Sequence, residues 1–308
     1  IRESCESAYN AILLGLLWFA VVTKNVILLT QGIKSLPDNL ERATGLNYVL
    51  FLDDIVIGYD DIVIREVDYE RYAHRQFLID YYTGEYGDSL SRGLPFGHNS
   101  KTGDTRISGS LASLVGLEAA LDGGKQSDID DAVKTILLLH GLIMSFGGIP
   151  LLYYGDEIGT LNDTSYLDDP AKANDSRWTH RPRIDWEKAE RRNSVGTIEN
   201  KLFSALKKMI AVRKEIVAFA DFNNRELLDV GNPHLFVFAR FEYNQPTSRI
   251  LVVANFDSLP QHLDLEDIGR KAYFRNGAVR DLYSGEKPAM FNNDLVIPPF
   301  SFYWLTDH

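Results

Sequence analysis

Gly147-Gly148-Ile149-Pro150-Leu151-Leu152-Tyr153-Tyr154-Gly155-Asp156-Glu157-Ile158-Gly159 is a short apolar run fenced by glycines and closed by two adjacent acids. It predicts a buried strand that opens into a polar loop. A strand apolar on both faces belongs in a parallel sheet covered by helices, where it can mean core packing and nothing more. Residues 46–52 (LNYVLFL) repeat the pattern and end on Asp53 and Asp54. Helical readings surround these two strands. Residues 127–145 carry Ser127 as N-cap, acids in the first turn and the apolar series Ile129, Ala132, Val133, Ile136, Leu137, His140. Residues 200–215 read as another helix, and residues 11–33 as one long apolar helix that Pro37, Asp38 and Asn39 bring to an end. The order helix, strand, helix, strand, helix fits two turns of a βα repeat.

Residues 55–126, rich in Tyr, Gly, Arg and Asp, connect the first strand to the 127–145 helix. They far exceed the usual length of about 2 to 6 residues for a βα loop, which marks a functional insertion. From Asn223 the pattern changes to short β segments at 235–240, 249–255, 295–297 and 301–305, separated by Asn, Pro and Gly turns. These predict a small antiparallel β domain over residues 223–308.

With 308 residues and 45% apolar content the chain can bury a large core. A net charge of -11, without a Lys/Arg cluster of the usual footprint size, opposes non-specific binding to nucleic acid and suits a neutral substrate. Cys5 is the single cysteine, so neither an intrachain disulfide nor a Cys-based zinc site can form, and a cytoplasmic location is permitted. The apolar run 11–22 (AILLGLLWFAVV) is shorter than the ~17 to 25 residues that cross a membrane, and reads as a buried helix. Glu3 and Glu6 outnumber Arg2 before it, unlike a signal peptide. The Asp-rich runs at 60–61, 128–131 and 168–169 lack EF-hand spacing, and no phosphate-cradling Gly-rich loop is present; no metal and no cofactor are expected. The chain starts on Ile1, which suggests a piece of something longer.

Several segments carry a family resemblance: Asn47-Tyr48-Val49 before Asp53-Asp54-Ile55, Tyr72-Ala73-His74-Arg75-Gln76-Phe77, Arg92-Gly93-Leu94-Pro95-Phe96, Thr102-Gly103-Asp104-Thr105-Arg106, the 147–159 stretch, Gly159-Thr160-Leu161-Asn162-Asp163, and Asp175-Ser176-Arg177-Trp178-Thr179-His180-Arg181-Pro182-Arg183. In this order they resemble the C-terminal portion of the amylosucrases, sucrose-using glucosyltransferases of the α-amylase superfamily, glycoside hydrolase family 13. The resemblance implies the C-terminal part of a (β/α)8 TIM barrel over residues 1–222, with a long insertion after strand seven and the 147–159 run as strand eight. An antiparallel β-sandwich would follow at 223–308. It also implies glucosyl transfer from sucrose to an α-glucan with retention, which needs two carboxyl groups about 5 Å apart around an oxocarbenium-like transition state.

By the same resemblance Asp53 is the third carboxylate, which holds the sugar hydroxyls in the transition state, and the nucleophile and acid/base belong upstream of Ile1. Asp54 and Arg106 resemble residues lining the acceptor or fructosyl side. Arg181 resembles the arginine that closes the glucosyl pocket through a salt bridge to an upstream acid, a task suited to its planar fork. His74 and His180 read as structural or supporting groups, and Trp178 as a sugar platform or a packed wedge. Asp156 and Glu157, adjacent at a strand end, point apart and carry no chemistry. One departure stands beside Asp53: the family has Arg-Ser-His where this chain has Leu50-Phe51-Leu52, and Leu52 has no hydrogen-bond donor. Loss of one such donor typically costs about 10²- to 10³-fold in rate. Two other readings therefore stay open: a non-catalytic or degenerate relative that at most binds α-glucan, and another superfamily hydrolase or transglycosidase acting on sucrose or α-glucosides.

Overall fold

The computed structural model describes residues 6–36, 40, 43–50, 64, 69–100, 105–272, 274 and 279–307. Leu52, Asp53, Asp54, the Asp60-Asp61 pair and residues 102–104 lie outside them. The chain forms two compact units: Ile1–Asn47 with Leu138–Leu151 and Lys207–His308, and Tyr48–Leu137 with Leu152–Leu206.

In the first unit, strands β1 (Ser7–Tyr9), β2 (Thr44–Asn47) and β5 (Ile149–Pro150) form a parallel sheet in the order β1-β2-β5. β1, three residues before a helix, carries too little pattern to be read from sequence. The other two strands are shorter than the expected 46–52 and 149–154. Leu46 pairs with Ile149 and Asn47 with Pro150, which has no N–H to give the ladder, and a last bond runs from Leu151 N to the Asn47 carbonyl at 2.8 Å. Tyr48, Val49 and Leu50 stay buried, so their apolar character reports burial rather than strand pairing. Fully buried Asn47 ties the sheet together: its amide donates to the Gly147 carbonyl, and its Oδ1 accepts from Asn10 Nδ2 at 2.9 Å.

The single helix expected over 11–33 is two helices, Ala11–Thr23 and Ile27–Lys34. Lys24 turns into the left-handed region at φ 54°, and Asn25 accepts the Ile27 N–H at 2.8 Å, a side-chain cap that competes with helix continuation. The first helix buries residues 13–20, as expected, and among the described residues no helix is long and apolar enough to cross a membrane. The helix read as 127–145 runs Gln126–Ser145, so Ser127 falls within its first turn instead of capping it; the Asp128 and Ile129 N–H groups bond the Lys125 carbonyl. The helix read from 200 begins at Ile198, capped by Thr197 Oγ1, and ends at Glu215.

Three arginines gather where the Gln126–Ser145 helix ends and the chain turns into β5. Arg213 donates to the Met144 and Gly148 carbonyls at 2.9 and 2.7 Å, Arg225 and Arg240 each donate to the Phe146 carbonyl at 2.7 Å, and Arg240 also reaches Ala218 and Asp221. Cations here satisfy carbonyls that a helix end leaves open and complement its negative dipole end. Arg240 is fully buried, and burial, then Arg225 and Arg213, push its pKa down to about 9.

The β-rich reading beyond Asn223 is met by a five-stranded antiparallel sheet in the order β10-β13-β8-β7-β6, built from β6 (Arg225–Leu228), β7 (Leu235–Glu242), β8 (Gln245–Asn255), β10 (Arg280–Asp281) and β13 (Ser301–Thr306). A second antiparallel sheet has the order β11-β12-β9, from β9 (Gln261–Asp264), β11 (Met290–Phe291) and β12 (Asp294–Ile297). Leu235, Val237, Leu251 and Val253 of one sheet share an apolar core with Leu263, Leu295 and Ile297 of the other. The Leu265–Ala272 helix, unanticipated although Asp264 Oδ1 accepts the Glu266 and Asp267 N–H groups, adds Leu265, Ile268 and Ala272 to that core.

The second unit is mostly helix and loop. Of the stretch 55–126 its described part holds the Arg71–Tyr82 helix, a hairpin of β3 (Leu94–Phe96) and β4 (Arg106–Ser108), and the short helices Leu111–Leu114 and Leu117–Gly123. Asn162 pins this region: its Oδ1 accepts from Ser110 N at 2.8 Å, its Nδ2 donates to the Arg92 carbonyl, and its own N–H donates to Ser113 Oγ at 2.9 Å. The acids at 128–131 and 169 are helix-end and loop charges, paired with Lys125, Lys134, Lys201 and Lys172.

Candidate functional site

The site is built on the second unit from the turn after Leu152 and from the 3₁₀ turn Ser176–His180, which packs on the β3–β4 hairpin. Asp175 starts that turn. Its carboxylate accepts the Arg177 backbone N–H at 3.1 Å and grips the Arg177 guanidinium with two bonds of 2.9 Å from Nε and Nη2. Those side-chain bonds, against an opposing effect of burial, hold the Asp175 carboxyl below the usual carboxylate range. Ser176 Oγ donates to the Pro95 carbonyl at 3.0 Å and fastens the turn to the hairpin.

Two aromatic rings organise the surrounding cations. The Arg177 guanidinium lies 4.4 Å and that of Arg106 5.4 Å from the Phe96 ring centroid; Lys172 Nζ lies 4.8 Å and the Arg181 guanidinium 5.7 Å from that of Trp178. The buried Tyr153 ring packs 6.1 Å from His180 and 4.7 Å from Tyr154, whose hydroxyl donates to the Pro182 carbonyl at 3.2 Å. Burial, then Tyr154, pushes the Tyr153 phenol up, and the Arg181 charge opposes the shift. The arrangement joins aromatic rings to cationic hydrogen-bond donors that lie over them, two kinds of group that bind a polyhydroxylated ring.

Of the residues expected to form the site, Asp53 and Asp54 lie outside the described residues. Arg106 lies over the Phe96 ring and Arg181 over the Trp178 ring, and Trp178 is a half-buried ring with cations over it rather than a core wedge. Asp156 is buried, and Glu157 accepts the N–H of Gly155 at 2.7 Å, a loop-closing bond. His74 is buried beside the Tyr69 ring on the Arg71–Tyr82 helix, with its pKa driven down to about 4 by burial and then by Arg75. The sequence reading gave no part to Phe96, Lys172, Arg177 or Tyr153. The alternation of Arg with Trp and His in residues 177–181 was the available signal.

No protein-family model matches the chain. Among solved structures it superposes on sucrose 6F-phosphate phosphorylase from Thermoanaerobacter thermosaccharolyticum with a TM-score of 0.54 and 18% identity, over 81% of this chain and 43% of that one. AmyP in complex with maltose gives a TM-score of 0.51 at 12% identity, covering 99% and 52%. The α-amylase from H. orenii gives 0.51 at 13%, covering 98% and 49%. The chain carries part of the α-amylase-type barrel fold. It spans about half the length of these proteins, as a partial barrel with a sheet domain. At such identities the likeness reaches the fold and does not single out the amylosucrases.

Proposed function

We propose that this chain is the C-terminal portion of an amylosucrase-like retaining glucosyltransferase that moves glucose from sucrose to an α-glucan. The observation that supports this reading is that Arg106 lies over the Phe96 ring and Arg181 over the Trp178 ring. Both arginines come from the TGDTR and DSRWTHRPR segments that resemble amylosucrases. Fold neighbours solved with maltose, or named for a phosphorylated sucrose, favour an α-glucosidic sugar. In this reading residues 1–222 end a (β/α)8 barrel carrying the 55–126 insertion, and 223–308 form a β-sandwich. The sugar stacks on the aromatic faces, the arginines bond its oxygens, and Asp53 holds the hydroxyls of the ring that acquires oxocarbenium character. The nucleophile and acid/base come from a preceding segment of a longer cytoplasmic protein, and no cofactor is needed.

A second reading, a non-catalytic glucan-binding relative, is favoured by Leu52, which cannot donate the hydrogen bond that the family His supplies. Substitutions in the longer parent protein separate the two. Leu52→His is expected to raise sucrose turnover by roughly 10²-fold, in kcat more than in KM, because the restored bond acts chiefly in the transition state. Asp53→Asn is expected to remove most of the activity. Indifference to both would show that Asp53 is not the third carboxylate.

A further inference from the structure

We propose that the cavity between the Ile27–Lys34 helix and the turn joining β6 to β7 binds a small zwitterion with an aliphatic body, the chemistry of an aliphatic α-amino acid. The cavity is built from the first unit alone and shares no residue with the candidate site above, so its occupant is independent of the glucosyl-transfer reading. Its volume is about 350 Å³, near the lower end of the roughly 300 to 1,000 Å³ of small-molecule sites. That suits a single small metabolite and not a polymer.

Helix periodicity makes one wall. Ile27, Thr30 and Lys34 are spaced by three and four residues and share one face of their helix, and all three line the cavity. The other wall is the turn after Leu228, in which Asp229 Oδ1 accepts the Gly231 N–H at 3.0 Å while Gly231 takes a φ of 68°. The two walls are tied together by the protein itself. Val26 N donates to the Pro233 carbonyl at 2.7 Å, the Lys24 carbonyl accepts from His234 Nδ1 at 2.6 Å, and Asn232 Nδ2 donates to Gln261 Oε1 at 2.9 Å. A ligand therefore meets walls whose backbone is already ordered, which lowers the cost of binding.

The charges decide the occupant. Lys34 and Asp229 both line the cavity, and among the described residues neither has an ion-pair partner and the Lys34 ammonium makes no hydrogen bond. Lys271, which donates to the Asp229 carbonyl at 2.7 Å, is committed to the Asp267 carboxylate at 2.6 Å. An ion of one sign would satisfy one of the two free charges and be repelled by the other, whereas a ligand carrying both signs finds a partner for each. Asp229 is the anchored anion, held by Gly231, and Lys34 is a point charge on a flexible stem that adapts to the spacing of the ligand's charges. The bonds formed are charge-assisted, the stronger kind. Exposed Ile27 beside buried Val26 and Leu228 supplies the aliphatic contact.

The test titrates the purified 308-residue chain by calorimetry with leucine, with 4-methylpentanoate and 3-methylbutylamine, which keep the body but one charge each, and with glycine and maltose. Leucine is expected to bind about fivefold or more tightly than any of the others. Lys34→Gln is expected to weaken leucine about fivefold and leave 3-methylbutylamine within about twofold; Asp229→Asn is expected to weaken leucine equally and leave 4-methylpentanoate unchanged. Lys134→Gln, in the other unit, is the charge control, and thermal melts confirm that each variant is folded. No detectable leucine binding at about 10 mM would overturn the proposal. So would leucine affinity matched by either singly charged analogue, or indifference to both substitutions. Maltose binding more tightly than leucine and lost in both variants would make this a sugar cavity, and would also overturn it.

Discussion

Arg240 shows how much a single side chain can hold in this fold. Its guanidinium is removed from water and meets backbone carbonyls of Phe146, Ala218 and Asp221. Arg240→Met keeps apolar bulk but strands those carbonyls without their donor, and is expected to cost on the order of 3 kcal/mol in urea unfolding. Arg240→Lys is expected to recover less than half of this loss, since a single ammonium cannot span three carbonyls. None of this was legible in sequence: Arg213, Arg225 and Arg240 sit on a helix and two strands, and only tertiary folding brings them together. His74 gives a pH signature at the same scale. Its folded pKa of about 4 lies below its unfolded value of 6.5, so between those pH values the unfolded chain binds more protons. Stability is therefore expected to rise with pH from 4 to 6.5 and to fall as acid is added across that window. His74→Gln should flatten the slope of unfolding free energy against pH there; an unchanged slope would show that His74 is not its source.

Among the elements, β5 connects the sequence pattern most closely to the structure. Gly147 and Gly148 adopt φ of 103° and 84°, and a Cβ on Gly148 would stand 2.4 Å from the Gly45 carbonyl oxygen. The glycine pair thus marks a left-handed approach of the chain to β2, and not merely a boundary. Gly148→Ala is expected to destabilise the first unit by about 2 kcal/mol or more, read as a lower urea midpoint at unchanged slope. The strands themselves were over-read, because Tyr48, Val49 and Leu50 are apolar for burial beyond the end of the ladder. The helix break at Lys24 was missed for the opposite reason. The apolar run continues past it, while the stop comes from Asn25 capping Ile27 and from Val26 N bonding the distant Pro233 carbonyl at 2.7 Å. The antiparallel strands after Asn223 were legible because their pairings are local and their turns are written in Asn, Gly and Pro.

At the scale of the whole molecule, the α-amylase-type barrel is visible both in the βα order and in the superposition on proteins about twice as long. Of the candidate site, Arg106 and Arg181 could be singled out in the sequence through their segments, whereas the ring that Arg106 shares with Arg177 depends on a hairpin and a turn meeting in space. If the catalytic carboxylates lie in a preceding segment, the 308-residue chain binds sugar without transferring it, since a retaining mechanism needs both nucleophile and acid/base. Fructose release from sucrose in the presence of glycogen tests this directly, measured side by side for the chain and for the longer parent protein. The expected result is release by the parent and none above background by the chain. Turnover by the chain alone on the order of 1 s⁻¹ or more would contradict the account, because the carboxylates that break the glycosidic bond would then have to lie within these 308 residues.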